Sequence, residues 1–260
     1  MNDTGFDEEL LDQLDPAWRR WLELRARAGS TNDVAFERAR AGAAHGAAVA
    51  AACQTAGRGR QGATWHSPPG GALAFSIVLR PRVPIALWPR LSLVAGLVVA
   101  IELERLGLDA RVKWPNDVLV GSRKLCGVLV EAGPGFVVVG VGVNVNIAAF
   151  PPELAASATS VARELGRQVD REPLLVGIRN GLLRWLDEAT DDFAAVLAAL
   201  GERCALRGTR VRATGSQGRV EGVVRGFGPG GELVIEQAGR FTRLLQADEI
   251  RPAPEPGQNQ

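Results

Sequence analysis

The chain has 260 residues, of which 46% are apolar and 23% are charged, and its formal net charge is +1 at pH 7. These values are typical of a soluble globular protein and predict one large domain, or a large domain and a small one. A net charge so close to zero gives no support for nucleic-acid binding. The longest uncharged apolar stretch, Leu91–Ile101, is well short of the roughly 20 residues that span a bilayer, so no membrane segment is expected.

Two further features indicate the cellular compartment. The segment Met1–Glu9 is polar and acidic, which is wrong for a secretory signal peptide. The cysteines Cys53, Cys126 and Cys204 form no CxxC pattern, which argues against a disulfide framework and against a zinc site. We therefore expect a cytoplasmic protein.

Over residues 1–146 the apolar periodicity predicts helices interspersed with strands. Apolar residues at helical spacing predict helices over residues 1–20, Val34–Ala44 and Leu87–Leu106. Strands are predicted at Trp21–Ala28, Ala47–Cys53, Leu73–Leu79, Arg111–Trp114, Val118–Val120, Lys124–Glu131 and Phe136–Asn146. A long loop rich in Gly, Arg and Pro separates the second strand from the third.

In the remainder of the chain the predicted secondary structure changes from helices to short strands after Gly201. Helices are predicted at Thr159–Leu165 and Arg171–Leu200. Short strands separated by glycine turns, typical of a small β-barrel, follow at Thr209–Ala213, Gly218–Phe227, Glu232–Glu236 and Arg240–Leu245. We therefore expect an α+β domain over 1–204, with an N-terminal extension over 1–20, a small β domain over 205–251, and a disordered tail over 252–260.

Lysine is rare in this chain. Of the 30 basic residues only Lys113 and Lys124 are lysines, and the others are arginines. A lysine retained in so arginine-rich a chain indicates a position that needs a compact point charge, because ammonium and guanidinium groups are not interchangeable there. The segment from Lys113 to Lys124 is therefore a candidate for a charged site. The open alternative is that the two lysines lie close together by chance.

The loop Gln54–Trp65 carries alternating glycines and arginines. Its glycines match the GxGxxG spacing at Gly57, Gly59 and Gly62. No helix follows, so the loop is not a dinucleotide-binding fingerprint. Glycines let the backbone approach a ligand closely, and Arg58 and Arg60 offer planar forks suited to phosphate or carboxylate. The open alternative is a solvated surface loop with incidental arginines.

The segment Lys113–Asp117 reads KWPND and places polar side chains where a strand meets a loop. Asn116 and Asp117 follow Pro115, which fixes the direction of the chain. Asp117 is a candidate general base, or a group that orients an amine. The open alternative is an Asx turn that merely reverses the chain.

Two predicted strands follow this segment. Along Arg123–Glu131, simple alternation puts Lys124 on one face and Gly127 on the other, where a ligand would have room to lie against the backbone. Along Gly140–Asn144, glycines interrupt a run of valines, which indicates either a closely packed ligand or a bulge. The Asn144 amide supplies both a donor and an acceptor.

The segment Gly29–Asn32 has the composition of a helix cap, whose hydroxyl and N–H groups can also meet a polar ligand. Together with the four segments above, in this order, it resembles the bacterial biotin protein ligases. The resemblance implies a mixed-sheet catalytic domain of the biotin/lipoate protein ligase type, followed by a small SH3-like β-barrel.

The resemblance also implies a reaction. The biotin carboxylate attacks the α-phosphate of ATP, which gives biotinyl-5′-adenylate and pyrophosphate. A lysine of the acceptor protein then attacks the mixed anhydride, and AMP leaves. Mg²⁺ accompanies ATP, and the acceptor is a biotin carboxyl carrier protein or domain of acetyl-CoA carboxylase or a related carboxylase.

Site residues carry over from the family position by position. The implied catalytic residues are Lys124, Asp117, Arg58 and Arg60. The implied biotin site consists of Ser30, Thr31, Asn32, Gln54, Gly57, Arg58, Gly59, Arg60, Lys124 and Gly127. The implied nucleotide site consists of Arg58, Arg60, Trp65, Lys113, Asn116, Asp117, Lys124 and Asn144.

The segment before Gly29 is too short for the helix-turn-helix that many members carry, so this chain resembles the shorter, non-regulatory kind. The segment Gln61–Thr64 lacks the further basic residues often seen in this loop. The enzymatic alternative is a lipoate or octanoate protein ligase, but KWPND and the C-terminal β domain favour biotin. The non-enzymatic alternatives are a DNA-binding biotin sensor and a binding module with an inactive catalytic domain. A monomer and a ligand-induced homodimer are both left open.

Overall fold

The computed structural model describes residues 4–215 and 218–253, which form two β-sheets of different size with helices packed on the larger one. The α-helices are α1 (Glu8–Leu14), α2 (Thr31–Arg40), α3 (Leu91–Arg105), α4 (Pro152–Ala155), α5 (Val161–Leu165), α6 (Glu172–Asp191) and α7 (Phe193–Glu202). Short 3₁₀ helices lie at Trp18–Arg20, Arg60–Gly62 and Ile85–Arg90.

The strands divide between the two sheets. Those of the larger sheet are β1 (Leu22–Arg25), β2 (Ala48–Ala51), β3 (Ala72–Leu79), β4 (Ala110–Lys113), β5 (Asp117–Val120), β6 (Arg123–Gly133) and β7 (Phe136–Asn144). Those of the smaller sheet are β8 (Arg210–Gly215), β9 (Gly218–Phe227), β10 (Leu233–Gln237), β11 (Arg240–Leu244) and β12 (Glu249–Pro252). The α+β class with a separate C-terminal β unit is therefore confirmed.

The larger sheet has the strand order β1-β2-β3-β7-β6-β5-β4 and is mixed. Strands β1 and β2 are parallel, and the other neighbours are antiparallel. Every residue of β3 is buried, because helices cover both faces of the sheet at its centre. This explains why β3 reads as a continuous apolar run instead of an alternating one.

Helix α2 covers one face of the sheet, where Ala35 and Ala39 pack against Val49, Val78 and Phe136. Helices α3 and α6 pack against each other on the opposite face, over the main apolar core. The stretch Ile85–Arg105 is long and apolar enough to pass a test for a membrane span, but most of it is buried inside the protein. It is the central helix of the core.

The N-terminal extension is part of that core. Phe6, Leu11 and Trp18 are buried in it. The Arg171 guanidinium donates to the carbonyl oxygen of Gly5 and stacks over the Phe6 ring at 4.4 Å from its centroid. These contacts bind residues 4–20 to the start of α6.

Three predicted helices differ from the structure. Helix α2 begins at Thr31, not at Val34. The predicted helix Leu87–Leu106 begins as a 3₁₀ turn that contains Pro89, which has no N–H to donate, and becomes α-helical at Leu91. The predicted helix Arg171–Leu200 is two helices, because Asp192 adopts non-helical dihedrals and caps α7 by accepting from Ala194 N at 2.9 Å.

The smaller sheet is antiparallel, in the order β11-β10-β9-β8-β12. The last strand was not predicted, and it includes Pro252, which we expected in the disordered tail. Proline is tolerated there because β12 is an edge strand, where one row of backbone groups needs no partner. Residues 254–260 of that predicted tail lie outside the described residues.

Candidate active site

A cavity of about 220 Å³ lies where the start of α2, the loop Gly57–Gly62 and strands β5, β6 and β7 meet. We call Gly57–Gly62 the glycine–arginine loop. The structure brings most of the predicted site residues to this one cavity: Ser30, Thr31, Asn32, Gln54, Arg58, Gly59, Arg60, Trp65, Asn116, Asp117, Lys124 and Gly127. Asp248 reaches the lining from the smaller sheet.

The start of α2 forms a polar wall of this cavity. The Thr31 N–H donates to Gln54 Oε1 at 2.7 Å, and the Thr31 hydroxyl lies 3.0 Å from the same oxygen. Ser30 is the N-cap residue, but its side chain makes no capping hydrogen bond. The Ser30 hydroxyl therefore lines the cavity instead of serving the helix.

Asn32 is held from both ends of its amide. Its Oδ1 accepts from the buried Ser76 hydroxyl at 2.6 Å, and its Nδ2 donates to Glu131 Oε2 at 2.6 Å. A Cβ on Gly140 would overlap Asn32 Oδ1 and lie 2.9 Å from Asn32 Cγ. Gly140 thus makes room for the Asn32 amide, a side chain of the protein itself, whereas the glycines in β7 predicted a closely packed ligand or a bulge.

Gly127 and Gly142 form a cradle for the Trp65 indole. A Cβ on Gly142 would lie 2.6 Å from Trp65 Nε1, and a Cβ on Gly127 would lie 3.1 Å from Trp65 Cζ3. Trp65 Nε1 is buried and has no hydrogen-bond partner among residues 4–215 and 218–253. The Trp65 indole therefore occupies part of the space beside the Gly127 backbone in which we expected a ligand to lie.

Lys124 and Asp117 form an ion pair at the edge of the cavity, with 2.6 Å between Nζ and Oδ1. The ammonium also lies 5.7 Å from the centroid of the Trp65 ring. A Cβ on Gly127 would meet Lys124 Cε at 3.2 Å. Lys124 therefore shares a face with Gly127, and the simple alternation predicted for this strand is wrong.

A bulge explains that error. Val118 pairs with Cys126, but the next residue, Leu119, pairs with Lys124, so Leu125 is an extra residue in β6. One extra residue reverses the side-chain alternation on its N-terminal side and increases the local bend. The bulge is what aims Lys124 into the cavity.

Asn116 joins three parts of the site. Its Nδ2 donates to Val128 O at 2.9 Å, and its Oδ1 accepts from Arg60 at 3.2 Å. The Val128 N–H donates to the carbonyl of Asn116, also at 2.9 Å. Asn116 is buried and is not a freely exposed turn residue, so KWPND does more here than reverse the chain.

Arg58 is bound by carboxylates in this structure. Its guanidinium makes a two-pronged contact with Asp33, at 2.6 and 2.8 Å, and lies 3.4 Å from Glu131. The hydrogen bond from Arg58 lowers the pKa of the Asp33 carboxyl, and the same bond raises the pKa of the Arg58 guanidinium. The Arg58 guanidinium, which was expected to bind a phosphate or a carboxylate of a ligand, thus binds carboxylates of the protein here.

Three predicted residues lie outside the lining. The backbone of Gly57 packs against Trp65, whose N–H donates to the Gly57 carbonyl at 2.9 Å. The amide of Asn144 is buried and donates to Thr159 O at 3.0 Å. Lys113 ends β4, where its backbone pairs with Asp117. For these three, a direct ligand contact stays a prediction.

Among the residues that sequence reasoning missed are Asp248, which lines the cavity, and three polar residues that contact its lining, Ser76, Asp33 and Glu131. Ser76 is an isolated hydroxyl in an apolar strand, and Asp33 is a first-turn acid of α2 that looks like an ordinary helix-dipole residue. Glu131 was noted only as the end of a strand. Asp248 belongs to the other sheet. The one available signal was Ser76, because a polar residue in a fully buried strand needs a partner.

Acidic side chains border the cavity, but they do not form a metal cluster. Within residues 4–215 and 218–253, no group of three His, Cys, Asp or Glu side chains is arranged to hold a metal ion. Asp33 faces Arg58, and Asp117 faces Lys124. These carboxylates are paired with cations of the protein.

Comparison with known proteins relates the whole chain to one group. Residues 24–147 match the biotin/lipoate A/B protein ligase family. The chain is 35% identical over 261 residues to the biotin--[acetyl-CoA-carboxylase] ligase of Mycobacterium tuberculosis, which covers 94% of each chain. It is 35% identical over 232 residues to the bifunctional ligase/repressor BirA of Bacillus spizizenii, which covers 84% of this chain and 70% of that one.

A similar fold is found among solved structures. The biotin protein ligase from Aquifex aeolicus in complex with biotin and ATP superposes with a TM-score of 0.83 and 29% identity. The superposition covers 90% of this chain and 99% of that one. The likeness therefore includes the smaller sheet as well as the larger one.

Proposed function

Since this chain belongs to the biotin/lipoate A/B protein ligase family, we propose that the cavity beside α2 is where it activates biotin with ATP. The enzyme is an ATP-dependent biotin ligase: its relatives over nearly the whole chain are biotin--[acetyl-CoA-carboxylase] ligases, and lipoate ligation is not favoured. One observation carries the assignment to this cavity. A fixed polar wall, a lysine–carboxylate pair and an arginine loop all face the same 220 Å³ space.

The polar wall suits the ureido ring of biotin, which offers two N–H donors and one carbonyl acceptor. Thr31, Asn32 and Gln54 present hydroxyl and amide groups that are already held by neighbours. Ser30 adds a hydroxyl that the helix does not use. Groups fixed before binding lose little entropy when the ligand arrives, so they contribute more of their hydrogen-bond energy to affinity.

The basic side chains address the central difficulty of the first step. A carboxylate oxygen of biotin must bond to the α-phosphorus of ATP as pyrophosphate leaves, and both reactants are anions. Like charges repel strongly in a partly dry cavity. Lys124 lies where the two meet in this proposal, and Arg58 and Arg60 bring further positive charge on the loop. Charge placed in advance where negative charge concentrates lowers the barrier.

Magnesium enters this scheme as part of the substrate. The triphosphate oxygens of ATP are hard ligands of the kind that Mg²⁺ prefers, and Mg²⁺ usually keeps several waters when it binds with a nucleotide. When bound, it neutralises the phosphates and helps pyrophosphate to leave. Asp117 and Asp33 are paired with Lys124 and Arg58, and Asp248 accepts from Gln61, so we assign no protein ligand to the ion.

Asp117 is suited to the second step. The amine of the incoming lysine must lose a proton as it attacks the mixed anhydride and AMP departs. A carboxylate beside the reacting carbonyl can orient that amine and take the proton. Lys124 holds Asp117 at the cavity edge at 2.6 Å. One pair thus serves both steps, the cation in the first and the anion in the second.

The acceptor is proposed to be a biotin carboxyl carrier protein or domain of acetyl-CoA carboxylase or a related carboxylase, as the names of the relatives indicate. We place the reaction in the cytoplasm, where ATP is available and where free thiols such as Cys53, Cys126 and Cys204 persist. We propose no nucleic-acid partner and no membrane partner. The oligomer is proposed to be a monomer or a ligand-induced homodimer.

One experiment tests the function directly. Purified protein is incubated with ATP, Mg²⁺, biotin and a biotin carboxyl carrier domain, and the product is scored on a streptavidin blot. We expect biotin on the carrier, and none when its target lysine is replaced by arginine. With lipoate in place of biotin, an anti-lipoyl blot should stay blank. Lipoylation without biotinylation would overturn the proposal.

A further inference from the structure

The glycine–arginine loop is fastened to the smaller sheet in this structure. Gln61 Nε2 donates to Asp248 Oδ1 at 2.6 Å, and the Arg60 guanidinium donates to the carbonyl of Ala247 at 3.1 Å. Ala247 and Asp248 lie between β11 and β12, at the end of the smaller sheet nearest the cavity. Two consecutive loop residues thus contact two consecutive residues of another structural unit.

The segment that receives the loop is itself well fixed. The backbone of Asp248 donates to Thr214 O in β8 at 2.8 Å, and Ala247 is buried. The smaller sheet is in turn attached to the larger one, because the buried Trp114 indole donates to Gly231 O at 3.0 Å. Asp248 is therefore a fixed acceptor relative to the cavity.

The loop is closed at its base by backbone hydrogen bonds, from Gly59 N to Ala63 O at 2.6 Å and from Ala63 N to Arg60 O at 3.1 Å, and its tip is held by side-chain contacts. Gln61 has a φ of +55°, a left-handed conformation that an amino acid with a side chain rarely adopts. Gly59 and Gly62 flank that turn closely and give it no rigidity of their own. Such a conformation persists only when neighbouring groups hold it. The hydrogen bond from Gln61 to Asp248 is the one such contact that the Gln61 side chain itself makes among the described residues.

We propose that Asp248 is a positioning residue for the ligase reaction, which acts through Gln61 to hold the glycine–arginine loop over the activated biotin. The inference rests on the proposed function of the cavity and assigns the smaller sheet a part in it. Arg60 lines the cavity in the loop conformation that this bond helps to hold, and its hydrogen bonds to Asn116 and Ala247 position it as well. The hydrogen bond between Gln61 and Asp248, which we call the latch, therefore controls how long the adenylate stays bound before the acceptor lysine arrives.

The reaction without an acceptor separates formation of the adenylate from its loss. With biotin and ATP alone, each active site releases one pyrophosphate as a burst. Further release requires that the adenylate escapes or is hydrolysed, so the slow linear phase reports retention. Loop opening exposes the mixed anhydride to water and to solution. The latch is therefore expected to act on the linear phase.

The test compares Asp248→Ala, Gln61→Ala and the double variant in that assay. Each single variant should raise the linear rate about tenfold, the effect expected when a hydrogen bond to a charged acceptor is lost. The double variant should be no faster than the singles, because one bond joins the two residues. Asp248→Asn keeps an acceptor oxygen and should stay within about threefold of wild type.

Glu249→Ala is the matched control. It removes the same charge one position along the strand, where the carboxylate pairs with Arg251 at 2.5 Å and does not reach the loop. Its linear rate should equal that of wild type. An increase as large as that of Asp248→Ala would overturn the proposal, as would wild-type linear rates in both Asp248→Ala and Gln61→Ala.

Two measurements keep the outcome decisive. Melting temperatures establish that each variant is folded, and Gln61→Ala probes the same bond from an exposed loop if Asp248→Ala fails to fold. The burst in wild-type protein tests the proposed function separately. Absence of a wild-type burst would refute that function, whereas a burst with unchanged linear rates in the variants would refute the latch alone.

Discussion

Replacing Gly140 with alanine tests the fixed amide at the centre of the polar wall. The added Cβ would overlap Asn32 Oδ1 and would lie 2.9 Å from Asn32 Cγ and 3.1 Å from Asn32 Nδ2. Gly140 lies in the middle of β7, where the backbone pairs with β3 and β6 and has little freedom to move. The Asn32 side chain must therefore give way.

Displacing that side chain breaks two hydrogen bonds of 2.6 Å, one from Ser76 and one to Glu131. A neutral bond contributes about 1 kcal/mol and a bond to a carboxylate about 2 kcal/mol. The expected loss in the free energy of unfolding is thus about 3 kcal/mol, or roughly 6–12 °C in melting temperature for a chain of this size. If Asn32 binds biotin, the KM for biotin should rise at least about tenfold, with little change in the KM for ATP.

Melting curves and pyrophosphate-release kinetics measure these two effects. Gly29→Ala is the matched control, because a Cβ there meets nothing within 4 Å although the residue adjoins Ser30. An unchanged melting temperature for Gly140→Ala would refute the packing argument. A lowered melting temperature with a wild-type KM for biotin would refute the assignment of Asn32 to the biotin site.

Three further results are expected. Lys124→Ala should reduce pyrophosphate release at least about 100-fold, and Lys124→Arg should remain about tenfold below wild type because a guanidinium is wider and its charge more spread; wild-type rates for either would contradict the role of Lys124. Arg58 lowers the pKa of the Asp33 carboxyl, so this ion pair stabilises the fold at pH values above 3.8, the ordinary pKa of the group. The stabilisation is lost as the pH falls through the lowered pKa. The difference in urea midpoint between wild type and Asp33→Asn should therefore vanish in acid, and a difference that persists there would count against the pair. Burial raises the pKa of the Cys126 thiol, so iodoacetamide at about pH 8 should leave it unmodified in mass spectra of the folded protein, and early labelling would contradict its burial.

The order of elements could be predicted from the sequence, because strands and Gly-rich segments have strong local patterns, whereas most of the cavity lining followed from the resemblance to the biotin protein ligases. The bulge at Leu125 could not, since an extra residue leaves no mark in an alternating apolar run. Partners such as Ser76 and Glu131 were missed for a different reason. Each contacts Asn32 from far along the chain, and one sequence carries no information on such pairing.

KWPND illustrates how a short motif can be both structural and chemical. Trp114 donates to the carbonyl of Gly231 beside the smaller sheet, Asn116 accepts from Arg60 of the glycine–arginine loop, and Asp117 pairs with Lys124. A shift of the smaller sheet against Trp114 would move Asp248, and with it the loop. One turn thus contacts the smaller sheet, the glycine–arginine loop and Lys124, so we expect a displacement of any one of them to affect the other two. The C-terminal sheet is therefore joined to the cavity by these contacts, and Asp248 both lines the cavity and accepts a hydrogen bond from Gln61 of the loop.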